Sequence, residues 1–309
     1  MRTALDRLYG SVSLEMMPRA VAAMAAPPAG LSAGCLGGCE VYLPFLPGAA
    51  APAQVALTLA AVDRLRDWGH VPVPHLAARA VPDGDWLAQW LAALAARRVD
   101  RLMLVGGDRD RPAGPFADVP ALLADGALLR HGFRRLGVAG YPDGHPRIQP
   151  PDLQAALAAK RAYAAATGSS LWIVGQFAFA AGPVGAWLDA LAASGCDLPV
   201  RVGLPGPARP RTLARFALQC GVAASARGLR RHGGSLRRLA GHWSPQAMAE
   251  DLARHCAARP ESPLAGLHLF PFGGVGQSLD WLAAWRAARG AGLDAEQAAE
   301  QAAGAGGTG

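Results

Sequence analysis

Short runs of apolar, β-branched or aromatic residues recur eight times along this chain, with stretches of helical character between them. The strand candidates are Ser11–Met16, Glu40–Phe45, Val71–His75, Arg101–Val105, Arg135–Gly140, Leu171–Phe177, Pro199–Leu204 and Gly266–Phe272. Helices are predicted over Pro52–Trp68, Asp85–Arg97, Pro120–Arg130, Asp152–Ala166, Pro183–Ala193, Arg211–Cys220, Ser244–Ala258 and Ser278–Arg289. The first of these carries Val55, Leu57, Leu59, Val62 and Leu65 as its apolar stripe, with Asp63, Arg64 and Arg66 outside it. Asp83 or Asp85 suits the N-cap of the second, and Ser244-Pro245 opens another with proline at its first position. Alternating βα units with short connections build a parallel sheet. Eight of them in 309 residues fit a closed (β/α)8 TIM barrel, one α/β domain spanning 1–294. The open doubly wound sheet is the alternative, but no G-x-G-x-x-G follows the first strand, and Gly34, Gly37 and Gly38 precede the second. There is no internal repeat, and residues 295–309 read as a flexible C-terminal tail.

Composition narrows the function classes. With 51% hydrophobic and 17% charged residues, the chain is neither disordered nor fibrous. The formal charge of +7 raises nucleic acid as a partner, yet the arginines are spread along the chain, so no nucleic acid is expected. The densest basic stretch is Arg227 to Arg238, with Arg230, Arg231 and Arg237 between, and Lys160 is the only lysine. Five cysteines, of which only Cys35 and Cys39 lie close together, fit reduced thiols better than a zinc site or a disulfide framework, and no metal is expected. No secretory start and no apolar run of about 20 residues stand out, so the expected location is cytoplasmic, with no membrane partner.

A barrel carries its chemistry at the carboxyl ends of its strands. Strand one ends at Glu15 and strand three at His75; the turn after strand four holds Gly106-Gly107-Asp108. Strand five runs into Tyr141-Pro142-Asp143-Gly144-His145-Pro146, and strand six carries Gln176 before Phe177. Strands seven and eight lead into Gly203-Leu204-Pro205-Gly206 and Phe272-Gly273-Gly274. Each has a structural reading: Glu15 as a solvated strand end, His75 as a core histidine, Asp108 as a turn cap, Pro-Asp-Gly as an ordinary turn. Five of eight strand ends with a hydrogen-bonding or ionisable side chain make a polar mouth, suited to a planar ring with a phosphate tail. Dispersed one per strand, these groups do not suit a metal.

Ser13-Leu14-Glu15-Met16-Met17-Pro18, Pro74-His75-Leu76, Gly107-Asp108, Ala139-Gly140-Tyr141-Pro142-Asp143-Gly144-His145-Pro146 and Gln176-Phe177 together resemble the methylenetetrahydrofolate reductase family, divergent bacterial-type members included. The resemblance covers Ser11 to Phe272. It implies a TIM-barrel flavoprotein with FAD, an oxidoreductase interconverting 5,10-methylenetetrahydrofolate and 5-methyltetrahydrofolate in one-carbon metabolism and methionine biosynthesis. The reductant it implies is NADH or NADPH, the substrate a folate, and the assembly a homo-oligomer. It makes Glu15 the general acid, a role that an apolar setting beside Met16 and Met17 would favour. Asp108 becomes a second catalytic group beside the flavin, and Gln176, Glu15 and Phe177 hold the folate. His75, Gly107, Tyr141, His145, Asp152 and Lys160 hold the flavin.

Several positions depart from the family. Its arginine before Gly-Asp is Gly106, its threonine at the end of strand two is Pro44, and Gly175 replaces a threonine before Gln176. Its strand-eight Tyr-Thr-Leu-Asn-Arg is Phe270-Pro271-Phe272-Gly273-Gly274, and the phenylalanine it carries after strand seven, expected near Pro210, is absent. An alternative is a folate- or flavin-binding barrel without redox turnover, a carrier or regulatory partner. A third reading is a phosphate-ligand barrel using Gly273, Gly274 and Gly276. The stretch Arg227–Arg238 reads either as an attractor of a folate glutamate tail or nicotinamide phosphate, or as a solvated helix face.

Overall fold

The computed structural model describes residues 10–32, 38–45, 51–220 and 243–287, together with Leu8 and Val222. The stretch Arg227–Arg238, Cys35, and the 295–309 segment lie outside the described residues. Eight parallel strands close into a barrel in chain order, so the (β/α)8 expectation holds. They are β1 (Val12–Glu15), β2 (Glu40–Leu43), β3 (Val71–Ala77), β4 (Arg101–Val105), β5 (Arg135–Gly140), β6 (Ser170–Phe177), β7 (Val200–Pro205) and β8 (Leu264–Phe270). Among the described residues no helix is long and apolar enough to cross a membrane.

The strands alternate between two cores. Val12, Leu14 and Met16 point outward and are buried under the helices, in the large cluster that also takes Val41, Leu43, Leu102, Leu104, Leu136 and Val138. The opposite parity fills the lumen, where Tyr42, Val73, Met103 and Val174 pack with Trp172 and Ala139. Gly137 is required there: a Cβ on it would lie 2.9 Å from both Met103 Sδ and the Trp172 ring. The indole Nε1 of Trp172 donates to the Tyr42 hydroxyl at 2.8 Å, which fixes the ring against that glycine. At the amino end the lumen is closed by charge. Glu40 accepts from Arg101 through one oxygen and pairs with Arg201 through the other at 2.9 Å, all three largely buried.

β3 is unusual in carrying Pro72 and Pro74 inside a closed sheet. The Val71 N–H donates to Cys39 O, so odd-numbered residues of β3 hydrogen-bond to β2 and even-numbered ones face β4. The two prolines are therefore the residues whose missing N–H would have met β4. Pairing with β4 accordingly runs only through His75, Leu76 and Ala77, opposite Met103, Leu104 and Val105. The odd parity that carries Val73 into the lumen carries His75 there as well.

The predicted helices are present among the described residues, and Pro18–Ala23 and Ala29–Ser32 add two between β1 and β2 that the sequence reading missed. Asp83 caps Gly84–Ala96, accepting from Trp86 N at 2.7 Å. The stretch Pro120–Arg130 is two short helices, Val119–Ala124 and Ala127–Arg130. One element takes a different place. The helix Pro210–Gln219, expected among the outer barrel helices, buries Leu213 and Ala217 against Phe177 and Phe179, with Phe270 and Phe272 packed alongside. Those phenylalanines stand at or just beyond the carboxyl ends of β6 and β8, so this helix lies over the mouth. The outer helix between β7 and β8 is Gln246–Ala258, which packs on Ala181–Ala193. The excursion between them is pinned at its base, where Ala208 bridges Trp243 and Trp243 Nε1 donates to Pro205 O at 3.1 Å.

Candidate active site at the carboxyl end of the barrel

Alternation along β1 and β8 sends Ser13, Glu15 and His268 into the lumen together. Ser13 and His268 are fully buried, with Ser13 Oγ 2.9 Å from His268 Nδ1. His268 Nε2 lies 3.8 Å from Glu15 Oε2, an electrostatic contact too long for a hydrogen bond. The single proton of the Ser13 hydroxyl has two acceptors within reach, His268 Nδ1 and Leu267 O at 3.4 Å. Glu15 itself remains partly open, its side chain 21% exposed. This carboxylate–imidazole–hydroxyl series spans β1 and β8 at the barrel mouth.

His75 joins it from β3. Burial pushes the His75 imidazole down to about 4, against the opposing pull of Glu15 and with His268 adding to the depression, so the ring is neutral at pH 7. Its Nε2 is buried with no hydrogen-bond partner. The Tyr42 ring meets both imidazoles edge-on, with centroids 6.1 Å from His75 and 4.6 Å from His268. Burial, and then Glu40, raise the Tyr42 phenol well above its ordinary range, so it stays protonated beneath them.

The other polar residues form a separate group on the rim. Tyr141 and His145 meet edge-to-face at 4.8 Å. Burial and then Asp108 raise the Tyr141 phenol, while burial and then Arg147 lower the His145 imidazole against Asp108. Arg147 pairs with Asp110 at 2.7 Å, and Arg79 donates to Asp110 O at 2.6 Å and Ala117 O at 3.3 Å, holding the loop after β4. The opposite wall is aromatic. Phe216 of the mouth helix stacks on Phe272 at 4.2 Å, and Phe270 meets His268 edge-on at 4.8 Å. Cys220, at the end of the mouth helix, is pushed up to about 11, first by its surroundings and then by Glu15 and Asp108. That thiol therefore feels both carboxylate positions across the mouth.

Of the residues predicted for one site, the structure brings Glu15 and His75 together in the lumen, and Asp108, Tyr141 and His145 on the rim. Gln176 uses its Oε1 on the N–H of Phe177 at 3.1 Å, and Phe177 is buried in the aromatic wall. Asp152 is exposed in the first turn of Pro150–Thr167. Lys160, on the same helix, is lowered by burial and feels Asp118, the N-cap of Val119–Ala124. Among the described residues no hydrogen bond or ion pair joins Asp152 or Lys160 to the rim group. Gly107, with φ of 93°, turns the chain toward Asp108, and Gly273 is packed so that a Cβ would meet Pro207 O at 2.0 Å.

Ser13 and His268 are the residues that reading strand ends alone missed. The signal was present: His268 is the lone imidazole in an apolar strand, at the same parity as Phe270.

No family model matches the chain. Among solved structures, it is similar to one described as a "putative phosphonomutase" from Burkholderia cenocepacia J2315, at 15% identity and a TM-score of 0.47, over 93% of this chain and 92% of that one. The expectation of a methylenetetrahydrofolate reductase is corrected on these findings. With it goes the NAD(P)H-dependent folate oxidoreductase activity. The physical reasons lie in the mouth. Pro44 and Gly106 supply no side-chain donor, and Pro271, Gly273 and Gly274 stand where the family carries threonine, asparagine and arginine.

Proposed function

We propose that this chain is an acid–base enzyme that moves a proton on and off a small substrate in the barrel mouth, with Glu15 as the proton-transferring group. The observation that carries this reading is the Ser13–His268–Glu15 series. A carboxylate held at the lumen's open end is a competent general base, and the buried imidazole anchored by Ser13 lies beside it. His268, hydrogen-bonded to Ser13, acts here as a positioning residue.

Incubation in D2O with a panel of small oxo-, hydroxy- and amino-acids, followed by proton NMR, tests the reading. The wild-type protein is expected to exchange a carbon-bound proton of at least one class, and Glu15→Gln to slow this by about 10²–10⁴-fold. Ser13→Ala is expected to slow it less and to shift its pH profile. Exchange that survives Glu15→Gln, or no exchange in any class, would sink the proposal.

A further inference from the structure

His75 is not used by the Ser13–His268–Glu15 series, yet its surroundings are specific. It faces the lumen from the first residue of β3 to pair with β4, half-buried, beside Glu15 and His268 and against the Tyr42 ring edge. Its Nε2 is shut off from solvent and lacks a partner, whereas Nδ1 is not among the buried atoms so placed. A neutral imidazole has one N–H to place. Leaving a buried N–H unpaired costs more than leaving a lone pair unpaired, because orphaned donors are the rarer and dearer defect. The proton therefore belongs on Nδ1.

From this we infer that His75 presents a neutral Nδ1–H to the substrate as the donor that holds a carbonyl oxygen beside the carbon that Glu15 deprotonates. The inference rests on the acid–base reading of Glu15 and narrows its substrate class to small carbonyl compounds with an acidifiable α C–H. The step balances without a co-reactant. Glu15 takes the α proton, the C–H electron pair becomes the C=C bond, and the carbonyl π pair moves onto oxygen. The resulting enolate oxygen accepts the hydrogen bond from His75, and the return of the proton to carbon reverses each change. Nothing is oxidised or reduced. The depressed basicity of the ring suits this role, since a cationic imidazole would lose its proton to the enolate while a neutral one donates a hydrogen bond and keeps it. The Tyr42 ring, edge-on to it, limits its reorientation.

Nitrogen-15 NMR of the imidazoles in the intact wild-type chain, with and without acetohydroxamate as a planar enolate mimic, reads the tautomer directly and needs no variant. The expected result is His75 neutral from pH 5.5 to 8 with its proton on Nδ1, and a shift of that N–H signal when the hydroxamate binds. A proton on Nε2 in the free protein, or an Nδ1–H signal unmoved by saturating hydroxamate, overturns the inference. In the D2O assay, His75→Leu should slow exchange about 10²-fold, with part recovered in His75→Gln, which restores a neutral donor. Hydroxamate binding that persists in Glu15→Gln but disappears in His75→Leu supports the donor role even if Glu15 proves not to be the base. The reverse pattern refutes the donor role and leaves the Glu15 reading standing.

Discussion

Replacing His75 with glutamine is expected to flatten the acid side of the stability–pH curve. In the unfolded chain this imidazole protonates near its ordinary value of 6.5, and in the folded barrel burial holds it down to about 4. Below pH 6.5 the unfolded state therefore binds a proton that the folded state refuses. Stability supplied by the neutral ring is present above pH 6.5 and is lost progressively as pH falls toward 4. The gap of about 2.5 pKa units corresponds to about 3 kcal/mol in full, of which about 2 kcal/mol disappears between pH 7.5 and 5. Urea denaturation of the wild type and His75→Gln at half-unit intervals over that range measures it. The two curves should diverge by about 2 kcal/mol, with the wild type falling faster. Parallel curves would show that the folded state accepts the proton as readily as the unfolded chain. That result would refute both the burial argument and the neutral state assigned to His75.

Two further outcomes test the frame around the site. Gly137→Ala should cost about 1–3 kcal/mol from overpacking on Met103 and Trp172, and less than half of that in a Trp172→Phe background; an equal cost in both would show that the indole is not the obstacle. Glu40→Gln, which strips the charge that pairs Arg101 and Arg201 at the amino end, should cost about 3–5 kcal/mol in the same denaturation assay; a cost under about 1 kcal/mol would mean that water already screens those guanidinium groups.

The barrel was legible because its evidence is local and repeated. Eight apolar runs at strand length separated by helical stripes admit few topologies, and Asp83 marked its helix start through one side chain. The mouth helix was not legible. Pro210–Gln219 has the amphipathic pattern of an outer barrel helix, and what distinguishes it is its partner, the phenylalanines at distant strand ends. The site was legible in part. Glu15 and His75 could be placed from strand ends, but Ser13 and His268 act through a pairing 255 residues apart, set by closure of β1 on β8. Lys160 shows the opposite failure. Its being the only lysine drew notice, while its setting near a helix cap is a matter of packing.

Pro72 and Pro74 bear on how the chain survives its own synthesis. As residues emerge in order, β1 to β3 are available before β4 exists to cover them, and the free edge of such a sheet is a template for pairing with other chains. On β3 that edge is the one facing β4, and two of its donor positions are blank. A stranger's strand would meet two carbonyls' worth of missing partners there, whereas β4 docks through the short stretch beyond them. The same two rings that leave a gap in the finished ladder thus guard the half-made barrel until its fourth strand arrives.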